Sequence, residues 1–557
     1  MGLKAMKYSV AEPLVDPYEA VEIFLKELGP LKIGCEEIFI EDSLGRVACS
    51  DIVLPIPLPP FPRSLVDGYA VLYSDVASAS KDRPVRLSLA GRIGVGASAE
   101  HISIKPGTCY EVATGSHLPR NTDLVVPFED TEEKGSEVII YSSPRRGENI
   151  AYPGSDLPSG TVIVKRGWVI DEKTLATLAS AGIKKISVYR KPKVCVMSTG
   201  RELLEPGEPL RPGMVYESNL RSLKALLESR GFDVDPIGIV GDDIDDLRKA
   251  ILSSVEKCDL VVTTGGTSAG VEDNVYRVVG ETGRIIVRGV KLRPGKPTSL
   301  GIVKGKPVVS ISGNPVAVFV LMEMVLPRLL RRIRGEDEIP RAPSQGRARL
   351  LKRVKGSRGR IAIIPSILIR GSGGLFVLPW VLLSYMVSRL SLADVYIEIH
   401  YSRNKPVEVG EEVEYKAFGK DPRVFVLEAS EISGGVDVVG DRLITYASRE
   451  EAEMWLSMGA ASSIHICDGY RIKGDRVSIE IKTIPEGKRY GKEFMVLARD
   501  RIEKVPGYGE GSCFSRIVGE ILRERGVEDY VVIDVDLPSQ ARDMFTQGLV
   551  DIALEPL

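Results

Sequence analysis

Carboxylate side chains follow glycine-containing turns at three places in the middle of this 557-residue chain. Glu202 comes after "VCVMSTG", Asp242 and Asp243 follow "DPIGIVG", and Asp273 follows "LVVTTGGTSAG". Carboxylate oxygens beside turns that can hold a phosphate are what Mg²⁺ and a phosphorylated substrate require. The pattern therefore predicts Mg²⁺-assisted chemistry on an anionic or phosphorylated ligand, with Glu202, Asp242 and Asp273 as candidate metal ligands.

Three turns of similar design end apolar segments that are typical of strands: "VCVMSTG", "LVVTTGGTSAG" and "VVSISGNP". In a parallel sheet such turns lie together at the carboxyl ends of the strands, where ligands bind. Asn314 is a good N-cap, and Pro315 is a good first residue for a helix through Arg332 whose free N–H groups would face an anion. A single turn is more often a tight β-to-α connection, but three together favour a binding site. The candidate substrate-binding residues are Thr199, Gly200, Gly265, Gly266, Thr267, Ser268, Ser312, Gly313, Asn314 and Pro315.

A cationic segment, "VKLRPGKP", lies between the second and third turns and adds Lys291, Arg293 and Lys296 to the substrate-binding candidates. Such a charge cluster is usually a solvated face. Here the flanking prolines and the glycine favour a loop held in place to present its cations to an anion. "GGTSAG" is not followed by Lys, so this is no Walker A site, and the chain has neither GxGxxG after a strand nor HExxH. With four histidines, a Ser-His-Asp site is unattractive.

The elements that must position these residues change in character along the chain. A helix is predicted over residues 12–30, and "IVLPIPLPPFPR" must be extended, as a linker or a structured lead-in. Residues 68–190 have β-rich texture, whereas strands alternate with helices from about residue 192, as a parallel α/β sheet requires. Strand texture returns at 341–418, and residues 420–557 mix strands with helices. The expected fold is multidomain, with a central parallel α/β domain, small β-rich domains and a C-terminal α/β module.

Composition narrows the function classes. The 74 basic and 76 acidic residues give a net charge of -2, which provides no basic excess for a nucleic-acid partner. Seven scattered cysteines without CxxC spacing argue against a disulfide framework or a zinc ribbon and indicate inert thiols in a reducing compartment. The N-terminal residues lack a signal-peptide core, and no apolar stretch is long enough for a bilayer, so we expect a cytoplasmic protein without a membrane partner. Six Asn and three Gln beside 27% charged residues are typical of a thermophile.

Five motifs together carry a family resemblance: "STGREL", "GDD", "TTGGTSAGVEDN", "RPGKP" and "SGNPV". In this order and spacing they resemble the molybdopterin molybdenumtransferases, the MoeA and gephyrin E-domain family. Further matches are "RSLVDGYAV", "EVATGSHLPRNTDLVVPFED" and "NIAYPGSDLPSGTVI". The resemblance covers roughly residues 10 to 418. The glycine-turn motif alone also occurs in the adenylyltransferase that makes the preceding intermediate.

The resemblance implies an elongated homodimer that takes adenylylated molybdopterin and molybdate or tungstate, requires Mg²⁺, and releases AMP with the finished cofactor. It implies a site shared between subunits, with Asp67, Thr114 and Asp156 contributed by the β-rich half. The α/β pocket would be lined by Glu202, Asp242, Asp273, Arg293, Lys296 and Pro315. The adenylyltransferase of the pathway is a further expected partner. Two alternatives stay open: a non-catalytic regulator that binds an oxyanion or a pterin, and a molybdopterin adenylyltransferase.

This chain departs from the family pattern at three places. Ser312 stands where the family commonly has Pro, Arg293 where Lys is frequent, and Ser155 where Glu often precedes the matched Asp156. The choice between molybdate and tungstate stays open. In the C-terminal unit, "ASSIHICDGY", "GYGEGSCFSRIVGEILRERGV" and "FTQGLVDIALEPL" resemble pieces of a periplasmic-binding-protein-like module, short or degenerate. Ser512 and Ser515, at the start of a helix, could bind an anion there, or serve as an ordinary N-cap.

The predicted domain boundaries follow from these texture changes and the resemblance. They are residues 1–53 with 154–191 as an N-terminal linker and dimerisation region, 54–153 as a small β-rich domain, 192–340 as the α/β molybdopterin-binding-like domain, 341–419 as a second β-rich domain, and 420–557 as the C-terminal module.

Overall fold

The computed structural model describes residues 14–556 except 32, 267–273, 338–344, 382, 384–385, 404, 420–421, 431–435, 440, 448, 474–475, 485–488, 499–503, 508–512, 525–530 and 535–551. Four of the predicted site residues lie outside the described residues: Thr267, Ser268, Asp273 and Ser512. The side chain of Ser515 lies outside them as well.

The first helix, α1 (Pro17–Leu28), confirms the helix predicted in this region. Asp16 caps it by accepting a hydrogen bond from the Tyr18 N–H at 3.0 Å, and Gly29, at φ 69°, ends it. The buried face of α1, which includes Val21 and Phe24, joins the core of the α/β region. Helix α1 therefore packs against the α/β region, which lies much later in the sequence.

The chain from residue 35 to residue 189 forms mostly short strands. Their bounds, with those of two helices, are β1 (Cys35–Phe39), β2 (Ile52–Val53), β3 (Arg63–Ser64), β4 (Gly68–Val71), α2 (Tyr73–Val76), β5 (Val85–Ile93), β6 (Thr108–Val112), β7 (Leu124–Pro127), β8 (Thr131–Lys134), β9 (Glu137–Ile140), β10 (Ile150–Ala151), β11 (Val162–Val164), α3 (Glu172–Ser180) and β12 (Lys185–Tyr189). One six-stranded sheet has the order β7-β4-β6-β5-β9-β8. Three two-stranded pairs, β1 with β12, β2 with β11 and β3 with β10, bring residues 35–64 back against residues 150–189. We call residues 63–151 the small β-rich unit.

Residues 193–334, the α/β unit, alternate strands and helices as predicted. The bounds are β13 (Lys193–Thr199), β14 (Leu203–Leu204), β15 (Val215–Tyr216), α4 (Asn219–Glu228), β16 (Asp233–Val240), α5 (Ile244–Lys257), β17 (Leu260–Thr264), α6 (Asn274–Thr282), β18 (Gly283–Arg288), β19 (Leu292–Arg293), β20 (Ser299–Val303), β21 (Lys306–Ile311), α7 (Pro315–Met324) and α8 (Leu326–Arg334). The sheet order is β16-β13-β17-β21-β20-β18. The first four strands are mutually parallel, and β20 runs antiparallel to both of its neighbours, so the sheet is mixed at one edge.

The helix predicted from Pro315 through Arg332 is wrong as a single element. It is two helices, α7 and α8, which meet at Val325. Pro327 explains the break, because proline has no N–H to donate to the carbonyl four residues earlier and its ring crowds that turn.

All but two of the remaining strands belong to one continuous sheet, which β19 also joins. Their bounds, with those of two helices, are β22 (Gln345–Leu350), β23 (Ile361–Gly371), β24 (Gly374–Pro379), β25 (Val395–Ile399), β26 (Glu412–Ala417), β27 (Val424–Ser430), β28 (Val436–Val439), β29 (Arg442–Tyr446), α9 (Arg449–Ser457), β30 (Ala461–Lys473), β31 (Arg476–Ile484), β32 (Arg489–Ala498), β33 (Lys504–Gly507), α10 (Cys513–Glu524), β34 (Val531–Asp534) and β35 (Ile552–Pro556). The described residues place thirteen strands in this sheet, and β23 pairs in parallel with β27. Trp455 of α9 donates its indole N–H to the Leu351 carbonyl at 2.9 Å.

The cysteine prediction is wrong for four of the seven thiols. Cys35 is bonded to Cys49, and Cys195 is bonded to Cys258. Sequence spacing could not reveal these pairs, because strand pairing creates them: β13, which carries Cys195, lies beside β17, which begins two residues after Cys258. Cys109 is a buried free thiol. Among the described residues, no helix is long and apolar enough to cross a membrane.

Candidate active site

The three glycine-containing turns meet at the carboxyl ends of β13, β17 and β21, as the sequence predicted. Gly265 adopts φ 89°, and a Cβ placed on it would lie 2.1 Å from the Thr199 carbonyl oxygen. A Cβ on Gly313 would lie 3.4 Å from the Gly265 Cα. Only glycine allows this approach, because any side chain at Gly265 would overlap the backbone of the neighbouring turn. The three turns therefore form one continuous surface of backbone groups.

Asn219, which the sequence analysis missed, ties two of these turns together. Its Nδ2 donates to the Thr264 Oγ1 at 2.8 Å and to the Gly313 carbonyl at 2.9 Å. These two acceptors fix the orientation of the amide, because a flipped amide would place its oxygen against the Gly313 carbonyl. The Oδ1 is buried and has no hydrogen-bond partner among the described residues. A polar Ser-Asn pair at the N-cap and first position of a helix was the available signal.

Glu217 stabilises the same region through hydrogen bonds near the first turn. Its buried carboxylate accepts hydrogen bonds from the Ser198 hydroxyl at 2.8 Å and from the Leu220 N–H at 2.7 Å. Arg221 completes its environment with an ion pair at 3.0 Å. A buried charge of this kind is stable only when it is paired and hydrogen-bonded, so the network holds the start of α4 against the end of β13.

Glu202 and Asp242, two of the three predicted metal-ligand candidates, both lie next to Arg201. The Arg201 N–H donates to the Asp242 Oδ2 at 3.1 Å, and Glu202 is the next residue in the chain. A Cβ on Gly200 would lie 2.6 Å from a Glu202 carboxylate oxygen, so that carboxylate covers the glycine. Asp243 has a different role, because its side chain caps α5 by accepting from the Asp245 N–H at 2.9 Å.

This donor set fits Mg²⁺. Magnesium is usually held by one or two carboxylates together with water and substrate phosphates, and not by a closed protein cage. Glu202 is exposed and Asp242 is partly exposed, so neither carboxylate is shielded from an ion shared with a substrate. In the described part of the chain, Cys195, Asp235 and Cys258 make the one three-residue group with metal-ligand spacing, and the disulfide between its two sulfurs removes them as thiolate ligands.

The third turn leads into α7 as predicted, although its capping differs. Asn314 occupies the N-cap position but makes no side-chain cap bond, and its N–H donates to the Ser312 Oγ at 3.4 Å. Pro315 is the first residue of the helix. The first N–H groups of α7 therefore have no side-chain cap and point toward the surface formed by the turns.

The cationic segment is anchored to a different sheet from the turns. Leu292 and Arg293 form β19, which pairs with β23. The Lys291 ammonium lies 5.6 Å from the centre of the Tyr401 ring, whereas Arg293 and Lys296 are exposed. None of these three cations makes a hydrogen bond or an ion pair to the described residues of the turns. A substrate that bound to both the turns and these cations would have to bridge the two.

Asp67 and Thr114 lie together in the small β-rich unit. The Thr114 N–H donates to the Asp67 Oδ1 at 2.6 Å, and the Thr114 hydroxyl donates to the same oxygen at 3.1 Å. Asp156 is exposed, and its N–H donates to the Leu58 carbonyl at 3.0 Å. The side chains of these three residues make no hydrogen bond to the described α/β unit. Within one chain, no hydrogen bond therefore joins Asp67, Thr114 or Asp156 to the described members of the α/β group.

Fold and site together define a multidomain protein with an α/β unit and β-rich units on either side of it in the sequence. Three family models match consecutive parts of the chain: "MoeA N-terminal region (domain I and II)" at residues 15–182, "Probable molybdopterin binding domain" at 195–331, and "MoeA C-terminal region (domain IV)" at 347–418.

Relatives of known name narrow this class to one family. A Mycobacterium tuberculosis protein named molybdopterin molybdenumtransferase 2 is 33% identical over 53% of this chain and 74% of its own length. A molybdopterin molybdenumtransferase of Haemophilus influenzae is 30% identical over 56% of this chain and 76% of its own length. The crystal structure of a molybdopterin biosynthesis MoeA protein from Pyrococcus horikoshii superposes with a TM-score of 0.62 at 35% identity, covering 73% of this chain and 100% of its own. The chain belongs to the molybdopterin molybdenumtransferase (MoeA) family.

Proposed function

We propose that this protein inserts molybdate or tungstate into adenylylated molybdopterin and releases AMP, with Mg²⁺ as cofactor. The observation that carries the proposal is the meeting of three glycine-containing turns beside the carboxylates of Glu202 and Asp242. Backbone N–H groups at such turns and at the start of α7 suit a phosphate-containing ligand. Carboxylates beside them suit a divalent ion shared with that ligand.

Each group of residues has a defined task in this proposal. Bound Mg²⁺ would neutralise charge on the phosphate linkage of the substrate as that linkage is cleaved. Glu202 and Asp242 would hold the ion, with Asp273 as a third ligand. The turn residues would orient the phosphates. Arg293 and Lys296 would attract the metal oxyanion and hold it near the dithiolene sulfur atoms of molybdopterin, which receive the metal.

The proposed active form is a homodimer with a site shared between subunits. The side chains of Asp67, Thr114 and Asp156 make no hydrogen bond to the described residues of the turns in their own chain. In a homodimer, the partner subunit could supply these three residues to the turns of the first subunit, because both copies carry the same two surfaces. The adenylyltransferase of the pathway is proposed as a further partner that delivers the substrate.

We also propose a cytoplasmic location in a thermophile. The two intramolecular disulfides agree with this, because intracellular proteins of hyperthermophiles are a known exception to the scarcity of disulfides in reducing compartments.

The C-terminal residues 420–557 are proposed to be a periplasmic-binding-protein-like module that binds an anion through Ser512 and Ser515. Helix α10, which contains Ser515, begins at Cys513. The three family models end at residue 418, so this segment is an addition to the family core.

A direct assay tests the proposed reaction. The purified protein is incubated with adenylylated molybdopterin, Mg²⁺ and molybdate, and AMP release and cofactor formation are measured together. We expect one AMP for each cofactor formed, and no AMP when Mg²⁺ is chelated. An adenylyltransferase would instead consume ATP and molybdopterin. A pure regulator would bind the substrate without releasing AMP, and either result would contradict the proposal.

A further inference from the structure

A cavity of about 690 Å³ opens between the small β-rich unit and the chain segments directly before and after it. Its volume falls within the range of about 300–1,000 Å³ that small-molecule sites usually have. Pro60, Phe61 and Pro62 line it, and the two chain segments that flank them contribute His117 and Tyr152. It therefore combines a stiff, proline-rich wall with three rings.

Short chain segments connect the lining of the cavity to the predicted catalytic residues of the β-rich half. The Leu118 N–H donates to the Pro62 carbonyl at 2.9 Å, so the segment after Thr114 runs beside the segment that leads to Asp67. Thr114 is three residues before His117, which limits their separation to about 10 Å at roughly 3.3 Å per residue. On the other side, Asp156 comes three residues after Pro153, which also lines the cavity.

The rings of the cavity can hold a flat molecule. Phe61 and His117 lie 4.8 Å apart between ring centroids, tilted by 36°. The His117 ring is fixed because its Nδ1 accepts a hydrogen bond from the Ala99 N–H at 3.3 Å. Phe61 and Tyr152 are large aromatic side chains that remain 38% and 47% exposed. An aromatic ring that packed on either of them would cover apolar surface that is otherwise in water.

The polar lining adds one cation and one anion. Arg120 and Glu100 both line the cavity, and within the fully described segment 54–153 neither side chain makes a hydrogen bond or an ion pair. An unpaired guanidinium suits a phosphate, and a free carboxylate suits the N–H groups of a heteroaromatic ring.

We propose that this cavity binds a planar heteroaromatic ring that carries a phosphate. The inference rests on the proposed function, whose substrate contains two such parts, an adenine nucleotide and a pterin phosphate. It goes further by assigning one of them to the cavity, with Phe61 and Tyr152 stacking on the ring and Arg120 binding the phosphate.

Isothermal titration of the full-length protein tests the assignment without turnover. The probes are AMP, 6-hydroxymethylpterin phosphate and, as a ligand without an aromatic ring, ribose 5-phosphate. We expect one of the two ring-containing probes to bind and the sugar phosphate to bind much more weakly. Binding of AMP that Phe61→Ala weakens assigns the nucleotide half to the cavity, and binding of the pterin phosphate that Phe61→Ala weakens assigns the pterin half.

Substitutions locate the binding. Phe61→Ala should weaken it by about fivefold to a hundredfold, because stacking on one aromatic side chain contributes that much to nucleotide binding. Phe61→Tyr keeps a ring and should bind normally, which separates lost stacking from misfolding. Phe39→Ala removes another exposed phenylalanine, on β1, and should have no effect. Arg120→Gln should weaken binding, whereas Arg83→Gln, at another exposed arginine of the same unit, should not.

Two results would overturn the inference. The first is that neither ring-containing probe binds, and the second is that a probe binds equally well to the Phe61→Ala and wild-type proteins. Either result would leave the proposed reaction standing if AMP is still released from adenylylated molybdopterin. If a ring-containing probe binds at the cavity but no AMP is released, the cavity assignment would stand and the proposed reaction would be wrong.

Discussion

At the scale of single residues, glycine and carboxylate positions decide whether the candidate site can form. The residue types at the turns and the residues Glu202 and Asp242 were all accessible to sequence reasoning, because turn chemistry and acid spacing are local. Asn219 was not, since its importance comes from two acceptors 45 and 94 residues further along the chain. Long-range hydrogen bonds of this kind leave no local pattern.

The glycine turn gives a stability prediction. Gly265→Ala should lower the free energy of unfolding by about 1–3 kcal/mol more than Gly238→Ala, because only the first substitution forces a Cβ against the Thr199 carbonyl. Gly238 is the matched control, since it also has a positive φ, 102°, but has open space around it. Thermal and urea unfolding measure the difference. Equal losses in the two variants would mean that the turns are less tightly apposed than described.

The carboxylate beside Arg201 gives a prediction about rate. Asp242→Asn should lower kcat for AMP release by about 10²-fold, because the neutral amide can no longer help to hold Mg²⁺ at the phosphate. Asp246→Asn, which changes an exposed carboxylate on the adjacent helix, should leave kcat unchanged. The steady-state rate at saturating substrate and Mg²⁺ is the measurement. Normal turnover by the Asp242→Asn protein would remove this residue from the site.

At the scale of elements, the alternation of strands and helices was predictable, whereas the places where elements join were not. The helix starting at Pro315 was identified correctly, but its division at Val325, next to Pro327, was missed because the apolar pattern continues across the break. The mixed edge of the α/β sheet was also missed, since β18 and β20 have the same apolar texture as a parallel strand. The disulfides follow from strand neighbours and not from cysteine spacing.

Asp259 shows how one charge joins several elements at the opposite end of β17 from the turns. Arg190 binds its carboxylate with two nitrogens at 2.7 and 2.8 Å, the Lys193 N–H donates to it at 2.9 Å, and Lys306 lies at 3.3 Å. Burial alone would raise the pKa of this carboxyl, but the bonds from Arg190 and Lys193 outweigh burial and hold the pKa at about 2, below the usual 3.8.

This shift predicts acid-dependent stability. Because the pKa of Asp259 is lower in the folded state, its ionisation stabilises the fold above about pH 4, and the contribution is lost as the pH falls from 3.8 towards 2. Asp259→Asn should therefore cost about 2 kcal/mol or more at pH 7 and progressively less below pH 4. Urea unfolding of both proteins between pH 2 and 7 measures this. A difference that does not change with pH would contradict the linkage.

At the scale of the whole molecule, the separation of the predicted groups within one chain is the main finding. The small β-rich unit and the α/β unit have separate buried cores, and Asp67 with Thr114 belongs to a different unit from Asp242. The sequence could suggest a shared site only through family resemblance, because no local pattern reports on contacts between two copies. At the other end of the chain, the pairing of β23 with β27 joins the family core to the C-terminal segment through one sheet.

Mixing two inactive variants tests the central claim, that the protein releases AMP at a site built from two subunits. Asp67→Asn and Asp242→Asn proteins, each inactive alone, are allowed to exchange subunits, and AMP release from adenylylated molybdopterin with molybdate and Mg²⁺ is measured. Random exchange makes half of the dimers mixed, each with one intact site of two, so we expect about a quarter of wild-type activity. Mixing Asp67→Asn with Thr114→Ala should restore nothing, because both changes lie in the same unit. No recovery after confirmed exchange of Asp67→Asn with Asp242→Asn would contradict the account.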